Sequence, residues 1–166
     1  MLSGKILYAV HDGTYVIKLI GDVRMPMCAS LDGFLDKMFS DATLTSVLVD
    51  LTETTGIDST ALGLIAKIAV FLRERFDRQP VLMSTNPDVN RVLNSMGFDS
   101  VFIILEYTPD NPALFDELPD SASSQQELTR KVIEAHRVLM GLNEQNQETF
   151  RSLVDALETE QRTHLR

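Results

Sequence analysis

Apolar positions along the chain fall into two rhythms, and the switch between them predicts the order of elements. Lys5–Val10 and Tyr15–Ile20 read as strands, separated by His11-Asp12-Gly13-Thr14. Asp-Gly between two apolar runs is a strong hairpin signal, because glycine tolerates positive φ. Over Ser30–Phe39 the rhythm becomes helical, with Leu31, Phe34, Leu35, Met38 and Phe39 on one stripe. Val47–Leu51 reads as a strand buried on both faces. Leu62, Ile65, Ala66, Ala69, Leu72 and Phe76 predict a second helix, beginning around Asp58 or Ser59 and stopped by Pro80. Val81–Met83 is the next strand. The third helix has Asn86 as N-cap, Pro87 in its first turn and Gly97 past its end, with Val89, Val92, Leu93 and Met96 in register. Val101–Leu105 predicts a last strand, and Asn111-Pro112 the start of a short helix running through Leu118.

The order β-β-α-β-α-β-α-β-α implies an α/β fold: a mixed, mostly parallel sheet of about five strands, covered by helices. Residues 1–118 are expected to form this domain, 119–127 a linker, and 128–166 a C-terminal amphipathic helix or helical hairpin. In that last segment Leu128, Val132, Ala135, Leu139 and Leu142 step by 4, 3, 4 and 3, as in a heptad seam. The register continues through Asn146, Thr149, Leu153 and Ala156, and Gly141 makes a break plausible. Two readings stay open: the segment lies back on the domain, or it pairs through the seam with a second copy or another protein. In the second, Asn146 would favour one register over others.

Charge narrows the function. Among 166 residues there are 24 acidic and 15 basic side chains, a formal net charge of −9. Phosphate backbones need a basic patch to displace counterions, so a nucleic-acid binder is not expected. Apolar runs such as Val101–Leu105 are far short of the about 20 residues a bilayer span requires. The N-terminal stretch lacks a small-residue cleavage pattern, and one cysteine excludes an internal disulfide framework; a cytoplasmic protein is expected.

Candidate chemistry is sparse. His11, His136 and His164 have no metal-ligand spacing, and each reads as a solvated or packed histidine. Cys28 has no sequence-local base and reads as a buried small hydrophobe. No glycine-rich phosphate loop occurs, and no carboxylate pair stands out. No catalytic residue, metal or cofactor is expected, and hence no enzyme.

One segment does stand out. After Leu48–Leu51, hydroxyl-rich residues from Thr52 turn the chain into Ile57-Asp58-Ser59-Thr60-Ala61-Leu62-Gly63. Helix capping by Asp58 or Ser59 accounts for much of it. The functional reading is a phosphorylation site at Ser59, with Thr60 as the alternative acceptor. A helix N-terminus accommodates a phosphate without unfolding, while roughly −1.5 to −2 added charges change the surface.

This segment resembles the STAS family, in its anti-sigma-factor antagonist class. The resemblance is carried by Leu19-Ile20-Gly21-Asp22, Leu48-Val49-Asp50-Leu51 and Ile57–Gly63, with Arg91-Val92-Leu93 and Gly97-Phe98 further on, over residues 5–118. It implies an antagonist in a partner switch. An anti-sigma factor with serine kinase activity would phosphorylate Ser59, and a PP2C-type phosphatase would restore it. Only the unphosphorylated form would bind the anti-sigma factor and release sigma. The expected contact surface comprises Asp22, Asp58, Ser59 and Thr60. Ala61 stands where the family often has glycine, and the C-terminal segment lies outside the resemblance. The alternative role is a STAS-like scaffold that assembles through the C-terminal helix, with Ser59 merely a cap.

Overall fold

The computed structural model describes residues 4–106, 115–121 and 123–164. Asp12 and Gly13 both take positive φ, 48° and 83°. The resulting tight turn joins β1 (Lys5–His11) to β2 (Thr14–Val23) as an antiparallel hairpin with His11 opposite Thr14. Beyond it β3 (Ser46–Asp50), β5 (Val81–Met83) and β6 (Ile103–Leu105) add in parallel, as crossover helices require. Two further strands complete the described sheet. β4 (Thr54–Ile57) pairs in parallel with the far end of β2, and β7 (Asp116–Glu117) pairs antiparallel with β1. The order is β6-β5-β3-β2-β1-β7, with β4 beside β2.

Four readings of the sequence need revision. The stretch from Thr52 contains a strand: a register shift at Gly21/Asp22 bends β2, and Gly21 at φ 81° turns its amide to the carbonyl of Glu53. Of the short helix expected over 111–118, residues 111–114 lie outside the described residues. Asp116 and Glu117 are extended, and Leu118 donates to the Ile6 carbonyl at 2.8 Å. The outer edge of β1 has backbone groups to satisfy, and that requirement prevails over a weak local helix signal. Val101 and Phe102 precede β6 rather than belong to it, because Phe98–Ser100 form a 3-10 turn.

The fourth revision concerns the C-terminal segment. It forms α4 (Gln125–Met140), capped by Ser124, and α5 (Glu144–His164). The helix therefore begins inside the stretch read as a linker. Gly141 closes α4, and the side chain of Asn143 accepts from the amide of Asn146 at 2.8 Å, opening α5. Asn146 is buried in the turn region, where its Nδ2 donates to Met96 O at 2.8 Å and Leu139 O at 2.9 Å. It fastens the hairpin to the end of α3 (Pro87–Ser95) rather than selecting a register between two chains. The heptad seam stops there. Thr149, Leu153 and Ala156 are exposed, while Phe150 and Val154 are buried instead.

Helix α1 (Cys28–Phe39) and helix α2 (Ser59–Phe76) are the main crossovers. Ile17, Leu19, Val49 and Leu51 of the sheet region, Leu31 and Leu35 of α1, and Leu62 and Ile65 of α2 are all at most 1% exposed. The same contiguous core takes in Ala135, Leu139 and Phe150 of the hairpin. Helix α2 is consequently buried all round its N-terminal half, from Thr60 to Ala66. One side belongs to the domain core and another lies beneath α4.

Candidate functional site

The site begins with Asp58, at the junction of β4 and α2. Extended backbone at φ −89° and ψ 169° makes it the N-cap of α2. Its Oδ1 accepts from the amide of Ala61 at 2.9 Å, and its Oδ2 from the amide of Met25 at 2.6 Å. One carboxylate thus ties the start of α2 to the turn that follows β2. The Asp58 amide donates to Val23 O at 3.1 Å, which fixes the junction from the other side. Asp22 lies nearby and accepts from Arg24 Nε at 2.9 Å through Oδ1. Hydrogen bonding to Asp22, together with its charge, holds the Arg24 guanidinium even more firmly protonated than usual. Gly56 makes room for this pair: a Cβ there would lie 2.7 Å from Asp22 Oδ1.

Ser59 is the first residue of α2 and is half-buried, whereas Thr60 is only 5% exposed. The hydroxyl of Ser59 meets Nε2 of His136, on α4, at 2.8 Å. Nδ1 of the same ring is 2.7 Å from the carbonyl of Val132, one turn earlier. A carbonyl only accepts, so Nδ1 carries a proton; in the neutral imidazole Nε2 is then the acceptor and Ser59 the donor. The ring is 2% exposed and packs edge-on against Phe150 of α5, with centroids 4.9 Å apart.

Two more contacts lie along the same face. Ser59, Gly63 and Lys67 occur at intervals of four, one above another on α2. A Cβ at Gly63 would lie 2.2 Å from the carbonyl oxygen of Ala135, so the two helices approach backbone to backbone. Lys67 Nζ lies 3.0 Å from Asp32 Oδ1 of α1 and pairs with Glu134, while Lys131 reaches Asp32 Oδ2 at 3.6 Å. Burial works against the charge on Lys67. Hydrogen bonds to Glu134 and Asp32 outweigh it and hold the ammonium above its ordinary value.

Of the residues singled out in the sequence, Asp58, Ser59 and Thr60 are consecutive, and Asp22, on β2, stands opposite Gly56 of β4. Two were missed. His136 is 77 positions from Ser59, and no local pattern signals that contact. Gly63 carries a detectable signal: glycine inside a helix costs about 1 kcal/mol against alanine, so its presence there points to a close approach. Cys28 is fully buried near this junction, and burial, followed by the charges of Asp58 and Asp32, pushes its thiol up to about 12. Among the described residues no cluster of histidine, cysteine and carboxylates could hold a metal, and no helix is long and apolar enough to cross a membrane.

The hairpin-led, mostly parallel sheet with its covering helices is the fold also seen in solved anti-sigma factor antagonists. The STAS domain model matches residues 5–113, and the chain belongs to that family. Similar solved structures include the following three. The anti-sigma factor antagonist SpoIIAA in its unphosphorylated form is 18% identical with a TM-score of 0.52, over 63% of this chain and 89% of that one. An anti-sigma factor antagonist from Mycobacterium paratuberculosis is 20% identical with a TM-score of 0.52, over 61% and 85%. The Bacillus cell fate determinant SpoIIAA in its phosphorylated form is 18% identical with a TM-score of 0.51, over 61% and 91%. A comparison with curated proteins finds no match. At these identities the likeness is one of fold.

Proposed function

We propose that the chain is a cytoplasmic, non-catalytic anti-sigma-factor antagonist whose partner choice is set by phosphorylation of Ser59. The observation that carries this reading is the position of Ser59: a half-buried hydroxyl at the first position of α2, on a junction rigidly held by Asp58. A phosphate at that position meets the positive end of the helix, so the fold can persist while the surface gains negative charge. Thr60 is a poorer acceptor because it is buried. Asp58 acts chiefly in positioning, since both of its carboxylate oxygens are engaged within the chain. The partners would be an anti-sigma factor with serine kinase activity and a PP2C-type phosphatase. The scaffold alternative is less well supported, because Ala135 and Leu139 of its seam are buried against the chain's own domain.

Incubation with the cognate kinase and ATP should add one phosphate at Ser59 by intact mass and peptide mapping. Ser59→Ala should take up none and bind the partner constitutively. Labelling elsewhere, with Ser59 unmodified, refutes the site.

A further inference from the structure

The face of α2 beneath the C-terminal hairpin carries a polar row beside the apolar core contributed by Ala135 and Leu139. Its row is Ser59, Gly63 and Lys67, and each member meets a residue of α4: His136, Ala135 and Glu134 respectively. That row of hydroxyl, bare backbone and ammonium can be hydrated once the helices part, while Ala135, Leu139 and Phe150 supply the apolar burial that favours the docked state. The charged groups that join the hairpin to the domain, Asp32 and Lys67 on one side and Lys131 and Glu134 on the other, can likewise be hydrated on separation. Meanwhile the hairpin has an interior of its own. His136 packs on Phe150, and Arg137 pairs with Glu158 between α4 and α5. It can therefore move as a unit, once the hydrogen bond from Asn146 to Met96 O is released. A polar stretch, Ser121–Ser124, precedes it.

We propose that the α4–α5 hairpin is a displaceable cover over Ser59, which has to lift before position 59 can be modified or engaged by another protein. The inference deepens the reading of Ser59 as the switch residue and rests on it for its biological purpose. Physically it stands on the contact with His136. The oxygen of Ser59 is 2.8 Å from a ring that is itself buried, so a phosphoryl group has no place between them while α4 is docked. Docking of the hairpin and loading of Ser59 are then mutually exclusive, and each opposes the other to the same degree.

The test needs neither kinase nor partner, so it can fail or succeed independently of the antagonist reading. In the full chain, Ser59→Cys places a thiol under the cover, and Cys28, fully buried, serves as the internal reference. Ala135→Leu enlarges a residue with 0% exposure on the helix whose backbone lies against Gly63, and so prises α4 from α2. Thiol labelling of S59C, mapped by peptide mass, should be slow alone and at least about tenfold faster with A135L added, while Cys28 stays unlabelled. Equal rates with and without A135L overturn the proposal. Should A135L expose Cys28 as well, hydrogen exchange in S59E decides. Faster exchange in α4 than in wild type, with β2 and β3 unchanged, supports the cover. Unchanged or slower exchange in α4, as when a charged His136 clamps the new carboxylate, overturns it.

Discussion

Gly63 and Ala135 meet main chain to main chain, with no side chain between α2 and α4 at their crossing. Such an approach brings the Ser59 hydroxyl within reach of His136 on one side of the crossing and Lys67 within reach of Glu134 on the other. Gly63→Ala should therefore act against its own helix propensity. Alanine favours α2 locally, yet its Cβ would lie 2.2 Å from a backbone oxygen and must push α4 away. A net loss of about 1–3 kcal/mol is expected in urea unfolding, with the loss of protection concentrated in α4 and α5. An unchanged or raised midpoint would mean that the helices adjust freely.

Asp58 holds two elements through one carboxylate, so Asp58→Ala should cost more than an ordinary cap. The expected loss is about 2 kcal/mol by chemical denaturation, the upper end of the range for N-caps. Asp58→Asn keeps one acceptor oxygen and should recover part of it. Equal stability of both variants and wild type would show that the junction is held elsewhere.

Cys28 should be inert in the native protein. It is fully buried, and burial foremost raises its thiol to about 12, leaving little thiolate at neutral pH. Alkylation by iodoacetamide at pH 8 should proceed only as fast as the protein unfolds, and reach completion in denaturant. Rapid modification of the folded chain would contradict the packing around the start of α1.

Tyr15 gives a pH dependence with a definite sign. Burial, followed by its hydrogen bond to Asp41, pushes the phenol up to about 12 from an ordinary value of 10.0. The folded state thus binds this proton more tightly than the unfolded state. Its contribution to stability is complete below pH 10 and is lost as pH rises from 10 towards 12. Tyr15→Phe should flatten the fall in stability over that window, measured by urea midpoints at stepped pH. An identical slope in the variant would place the alkaline sensitivity at other groups.

Elements with local chemical signatures are legible in the sequence, and those set by distant partners are not. The β1–β2 turn was legible because Asp12-Gly13 is local chemistry, and so were the ends of α3, where Asn86 accepts from the Asp88 amide at 2.9 Å and Gly97 adopts φ 83°. The strand β4 was hidden because Thr54–Ile57 is short and hydroxyl-rich; it is a strand only because the bend at Gly21 offers it a partner. β7 is two exposed residues whose pairing is dictated by Leu7 and Tyr8, over a hundred positions earlier. The C-terminal spacing by fours and threes finds Ala135 and Leu139 of α4's buried stripe but misses Ile133 and His136, and Gly141 and Asn143 reset the phase before α5. Within the site, Ser59 and Asp58 could be singled out because helix starts have local signatures. Their companion His136 could not, since only the docking of α4 brings it there.

In the proposed switch, charge at Ser59 decides association. The most direct measurement is the affinity of the anti-sigma-type partner for the unmodified full chain and for the same chain stoichiometrically phosphorylated at Ser59. A penalty of ~3 kcal/mol at that surface corresponds to roughly 100-fold weaker binding of the phosphorylated form, with an unchanged circular dichroism spectrum. Equal dissociation constants for the two forms would contradict the switch.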